Sequence, residues 1–244
     1  MGMVATTTIP TGKAVANEQG TGWDLVIFDC DGVLIDSELL TIGVEVALLA
    51  ETGIAISSDE IIERYVGISM KAMIADIEAR YGRPLGDDFA TRHALRVNNV
   101  FERELRAMRG IAGVLAGLPG KVCVASSSSP DRLRHTLNIA GLYDRFHPHI
   151  FSATMVAHGK PAPDLFLHAA ERMGAAPSRC VVIEDSLPGI EAATAAGMTA
   201  IGFVGGSHCR DGHADRLSAG GAAMVVGAMS QMLPAITELS RRLR

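Results

Sequence analysis

Aromatic residues are scarce, at 5% of 244 positions, and no apolar run approaches the roughly 18 residues of a membrane span. The four cysteines, Cys30, Cys123, Cys180 and Cys209, form no C-x-x-C pair, and two sit within apolar runs. Buried free thiols in a reducing, cytoplasmic compartment are therefore expected, not disulfides. Excess positive charge is also missing. With 22 basic against 27 acidic residues spread along the chain, the formal net charge is -5. No footprint for nucleic acid results, and an anionic substrate would have to meet local cations. The opening MGMVATTTIPTGKAVANEQG lacks the apolar core of a secretory signal and reads as a loose polar leader over 1–20; MGMVAT matches an acylation pattern in form only. There is no GxxxxGK[ST], which excludes a nucleotide P-loop, and no GxSxG, which argues against acyl-transfer hydrolysis. Internal repeats are absent too.

What is present is a hydrophobic content of 48%, enough for a sizeable core, distributed in short apolar runs that alternate with helix-length segments. The candidate strands are DLVIFD (24–29), KVCVAS (121–126), HIFS (149–152), CVVIED (180–185), MTAIGFV (198–204) and AAMVVG (222–227). Apolar strands alternating with helices indicate a parallel sheet covered on both faces, hence a doubly wound, Rossmann-like α/β core. One interval breaks the rhythm: about 90 residues separate the first two strands, against the 30 or so of one βαβ unit. The excess carries four helical patterns: Leu39 to Leu48 stopping near Gly53, Ile61 to Val66, Met70 to Tyr81 ending at Gly82, and Asp87 to Met108. The expected organisation is an α/β core domain (21–36 and 109–244) with an inserted helical cap domain (37–108). Following the first strand directly, the cap would lie beside the sheet edge where ligands bind in open α/β sheets.

The informative polar residues stand at strand ends: Asp29 and Asp31 after the first, Ser126 and Ser127 after the second, Glu184 and Asp185 after the fourth. Lys160, in GKPAPD, lies in the loop between the third and fourth. In a parallel sheet these ends share one edge. Three or four crowded carboxylates cannot all ionise without a cation, which implies a hard divalent ion such as Mg2+. Carboxylates, Mg2+, a lysine and donors from a serine-rich loop make a phosphate site. The chemistry left is phosphoryl transfer to a carboxylate, with an aspartyl-phosphate intermediate.

The ordered set DCDGVLIDSE, ASSSS, GKPAPD and VVIEDSLPGIEAATAAGM resembles the haloacid dehalogenase-like hydrolases, in their phosphatase and phosphomutase branch, from about Asp24 to Val226. The resemblance implies that Asp29 is the nucleophile on phosphorus, and that Asp31 protonates the leaving oxygen and later activates water. It implies that Ser126, with Ser127 beside it, binds the phosphoryl group and that Lys160 balances charge. Mg2+ would be held by Asp29, the Asp31 carbonyl, Asp185, and Glu184 directly or through water. An i, i+2 spacing in extended backbone fits Asp29 and Asp31 sharing one face. Mg2+ and Lys160 are expected to keep Asp29 ionised while Asp31 holds a proton. Gly32 offers the positive φ needed for a sharp exit from the strand, and Asp36 is expected to be structural.

Within the family, Asp31 and the Glu184–Asp185 pair speak against dehalogenation. A β-phosphoglucomutase-like enzyme would carry a cap histidine and arginine where this chain has Thr41 and Met70. A phosphatase acting on a small phosphorylated metabolite, a sugar or sugar acid phosphate, is therefore expected, with the mutase as the alternative. Outside enzymes, a phosphoacceptor or an idle binding protein remains. A monomer is expected, with a dimer as the alternative, and neither nucleic acid nor membrane is expected as a partner. His158 and the GGSHC stretch (Gly205 to Cys209) lie near strand ends and could line the entrance. The His208–Cys209 pair, having no second pair, reads as surface loop and not as a zinc site.

Overall fold

The structure, a computed structural model, describes residues 22–66 and 68–242. The expected leader, 1–20, lies outside them. All six expected strands form: β1 (Leu25–Phe28), β2 (Lys121–Ser126), β3 (Ile150–Ser152), β4 (Cys180–Glu184), β5 (Thr199–Phe203) and β6 (Met224–Val226). They make one parallel sheet in the order β3-β2-β1-β4-β5-β6. Successive side chains of a strand point to opposite faces, and β1 is apolar on both. Leu25 and Ile27 join one buried cluster with Cys123, Val182, Phe166 and Ile190. Val26 and Phe28 join the other with Val124, Ile183, Phe146 and Ile236. A strand of this kind is stable only between neighbours and under helices on both sides, which is where β1 lies.

The first four helices after β1 form the insert: α1 (Glu38–Glu51), α2 (Ser58–Tyr65), α3 (Met70–Tyr81) and α4 (Phe89–Glu104). Their ends are written locally. The Ser57 and Ser69 hydroxyls accept from the backbone N–H groups of Glu60 and Ala72, capping α2 and α3, and Gly82 closes α3 in the left-handed conformation. The last helix is shorter than the expected 87–108. It stops at Leu105, which is extended, because the returning chain has to pair with the outgoing one. Ile35 bridges Ala107, Asp36 N–H donates to the Arg106 carbonyl at 3.3 Å, and Met108 N–H donates to the Leu34 carbonyl at 2.8 Å.

The remaining helices wind about the sheet: α5 (Ile111–Gly117) precedes β2, α6 (Pro130–Ile139) and α7 (Tyr143–Phe146) precede β3, and α8 (Asp164–Met173) precedes β4. After β4 come α9 (Leu187–Ala195), α10 (His213–Ala219) and α11 (Met232–Arg241), the last two flanking β6. The strand order reverses direction between β1 and β4, and ligands of doubly wound sheets bind outside such a switch point. Phe28 is in register with Ile183, so the residues that follow, Asp29 and Glu184, leave the sheet side by side. Among the described residues no helix is long and apolar enough to cross a membrane.

Candidate active site

Asp29, Glu184 and Asp185 are all buried, and their carboxylates approach so closely that one oxygen from each lies within 4.8 Å of the others. Lys160 enters from the loop before α8. Its Nζ donates to Asp29 Oδ1 at 2.6 Å, to Glu184 Oε1 at 2.5 Å and to the Ala125 carbonyl at 3.2 Å, above the Phe166 ring. Glu184 is fixed on its other side by the Ser186 backbone N–H and hydroxyl, which both donate to Oε2. Two glycines make room. Gly32, at φ +75°, turns the chain out of β1, and a Cβ there would fall 1.7 Å from Asp185 Oδ2. A Cβ on Gly189 would overlap the Glu184 carboxylate.

Burial pushes the Asp29 carboxyl up to about 7; Lys160 works against this, while Glu184 and Asp31 add to it. Asp185 is raised well above the carboxylate range by burial and by the neighbouring Glu184 and Asp29. Burial alone would depress the Lys160 ammonium, but Asp29 and Glu184 outweigh it and the pKa rises. One ammonium is thus shared among three carboxylates, two of which are driven toward their protonated forms. A hard divalent cation on the same oxygens would relieve both, so this donor set fits Mg2+.

Asp31 lies beside this cluster and is held by three donors that the expectation did not include. Ser37 Oγ donates to Oδ1 at 2.7 Å, Ser128 Oγ to Oδ2 at 2.7 Å, and Arg132 Nη2 to Oδ1 at 3.2 Å. Burial works to raise this carboxyl, but Arg132 and the two serines outweigh burial and hold it below its ordinary value. Without a metal, Asp31 is thus the carboxyl held low and Asp29 the one pushed upward. Sequence spacing does not show Arg132, in the first turn of α6, reaching back to Asp31. Ser37 and Ser128 were missed as partners for the same reason. The one local signal was Ser129, whose hydroxyl caps α6 ahead of Pro130 and so fixes where Arg132 points.

The other candidates separate clearly. Ser126 is buried at the end of β2, its hydroxyl accepting from Ser128 N–H at 3.2 Å, while Ser127 is exposed beside it. Asp36 is structural, as expected: its Oδ1 accepts from the Ser207 backbone N–H and hydroxyl. His158 is exposed and paired with Asp164 at 3.0 Å, apart from the carboxylate cluster. His208 corrects the surface-loop expectation. It is 2% exposed, and its Nε2 lies 3.3 Å from Asp185 Oδ2.

Residues 23–197 match the family model of the haloacid dehalogenase-like hydrolases. The chain belongs to this family. Among haloacid dehalogenase-like relatives, it is 29% identical over 192 residues to 6-phosphogluconate phosphatase of Escherichia coli (strain K12), covering 78% of this chain and 84% of that one. It is 32% identical over 197 residues to beta-phosphoglucomutase of Bacillus subtilis (strain 168), covering 72% and 81%. A crystal structure of a haloacid dehalogenase-like protein of unknown function from Agrobacterium tumefaciens superposes with a TM-score of 0.83 at 40% identity, covering 89% of this chain and 99% of that one. The six-stranded parallel sheet with its helices is the haloacid dehalogenase-like fold.

Proposed function

We propose that this chain is a Mg2+-dependent phosphatase that hydrolyses a small phosphorylated metabolite, a sugar or sugar acid phosphate, through an aspartyl-phosphate on Asp29. The observation that carries the reading is Lys160, whose ammonium ties Asp29 to Glu184 inside a buried group of three carboxylates. Asp29, at the end of β1, is the nucleophile toward phosphorus. Lys160 offsets the charge gathered there, and Ser126 with nearby backbone amides receives the phosphoryl oxygens. Mg2+ would be held by the carboxylates of Asp29 and Asp185 and the carbonyl of Asp31, and when bound would draw charge from the phosphoryl group. Both oxygens of Glu184 already accept hydrogen bonds, which favours its contribution through water.

Asp31 then exchanges its contacts with Ser37, Ser128 and Arg132 for the leaving oxygen, takes a proton from solvent as it does so, and gives it to that oxygen. Returned to those partners, it is an ionised base for the water that opens the aspartyl-phosphate. The phosphatase named among the relatives supports hydrolysis of a sugar acid phosphate. The mutase named among them keeps phosphoryl return to a sugar as the second reading. Two residues favour water as acceptor. Thr41 spends its hydroxyl on the Ser37 carbonyl of its own helix, and Met70 brings no charge to hold a second phosphate.

The test is a phosphate-release screen over phosphorylated sugars and sugar acids, with and without Mg2+. Release that requires Mg2+ and disappears in Asp29→Asn is the expected result. Release that survives Asp29→Asn would remove the covalent intermediate from the reading, and isomerised phosphosugar in place of free phosphate would give the mutase.

A further inference from the structure

The second group of metal-ligating side chains among the described residues differs in kind from the all-oxygen site. His208 and Cys209 in the loop after β5, and His213 at the start of α10, each present a ligand atom within 4.8 Å of the others. Cys209 Sγ lies 3.7 Å from His208 Nε2, and that nitrogen lies 3.3 Å from Asp185 Oδ2. Bond lengths of about 2.0–2.1 Å to nitrogen or oxygen and about 2.3 Å to sulfur put tetrahedral zinc ligands roughly 3.3–3.6 Å apart. The two separations in hand match those edges closely.

The surroundings suit a built site. Bare glycine backbone packs against the imidazole of His208, since a Cβ on Gly206 would lie 2.9 Å from its ring. Its Nδ1 is buried without a partner, while Nε2 faces both Cys209 Sγ and Asp185 Oδ2. His213 Nε2 sits 2.6 Å from the Asp185 carbonyl, and its ring stands edge-on to that of His208 at 5.9 Å. Cys209 is half-buried, which leaves a way in, whereas Cys30, Cys123 and Cys180 are fully buried.

We propose that His208, Cys209 and His213, with Asp185 Oδ2 as fourth donor, form a binding site for a zinc-type cation. Imidazole and thiolate select such an ion over Mg2+, whereas the all-oxygen set around Asp29 suits Mg2+. On binding, the Cys209 thiol gives its proton to solvent and forms the metal–sulfur bond, while His213 exchanges its contact with the Asp185 carbonyl for the metal. Because both sites draw on Asp185, the zinc-type ion opposes Mg2+. This last consequence rests on the phosphatase reading, but the binding site does not.

The test is titration of the full chain with Co2+, followed by absorption. Expected is a thiolate-to-cobalt charge-transfer band that saturates at one equivalent and is displaced by Zn2+. The band disappears in Cys209→Ser, and Co2+ affinity falls about tenfold or more in His213→Ala. No band in the natural chain, or a band that persists in Cys209→Ser, overturns the site. In the Mg2+-dependent assay, Zn2+ should inhibit the natural chain at concentrations that spare Cys209→Ser. Equal inhibition of both overturns the sharing of Asp185. A chain that releases no phosphate leaves the cobalt result to decide the site alone.

Discussion

At the scale of single residues, Lys160 bears the most electrostatic weight. It is buried between two carboxylates, and removing one partner of a buried ion pair costs about 3–5 kcal/mol. Lys160→Met keeps most of the side-chain volume against Phe166 and deletes the charge. Its stability loss, measured without Mg2+, should be large at about pH 8. The loss should shrink at about pH 5, below the value near 7 to which Asp29 is raised, because Asp29 is then protonated and no longer lacks a counter-charge. Thermal melts of both proteins at the two values check this, and equal losses would show that the ammonium is not what stabilises the pair. Arg132 has a comparable place on the other aspartate, held between Asp31 and the Phe101 ring, which it overlies at 5.0 Å.

At the scale of elements, Gly189 sets helix preference against site geometry. Alanine is the better helix former by about 1 kcal/mol, so Gly189→Ala within α9 would ordinarily stabilise. Here the added Cβ would fall about 2 Å from the Glu184 carboxylate, which would have to leave Lys160 and Ser186. The expected result is a lower melting temperature and weaker Mg2+ binding by calorimetry. A rise in melting temperature with unchanged Mg2+ affinity would contradict the geometry. The elements themselves were legible: all six strands and all four helices of the insert follow from apolar runs, serine caps and terminal glycines. That Asp29, Glu184 and Asp185 would meet was legible too, because a parallel sheet gathers its strand ends, and Lys160 joins them from the loop before α8. Contacts across elements were not legible. Arg132 on Asp31, Ser207 on Asp36 and His208 on Asp185 join residues between 23 and 171 positions apart, and no local pattern encodes such meetings.

At the scale of the whole molecule, the crowded acids tie folding to pH. Burial, with Asp31, Glu45 and Asp29 nearby, pushes Glu38 up to about 8 from an ordinary 4.5, although Arg132 opposes the shift. Between those values the folded chain holds this proton more tightly than the unfolded chain does. The stability it contributes is complete below about 4.5 and is lost as pH rises through about 8. Glu38→Gln cannot ionise, so it should match the natural protein near the acid end and exceed it in stability at about pH 9. Urea unfolding at the two pH values gives the comparison, and a constant difference at both would show that the proton is not responsible. The crossing of the two chain segments at Ile35 and Ala107 has a consequence of another sort. The four-helix insert leaves and re-enters the sheet through residues already bonded to each other, so the separation of its ends is independent of what lies between them. Because the closure term grows only slowly with loop length, a longer, shorter or unrelated insert could be spliced at this crossing with the strand ends undisturbed. The strand ends and the insert can then vary independently of one another.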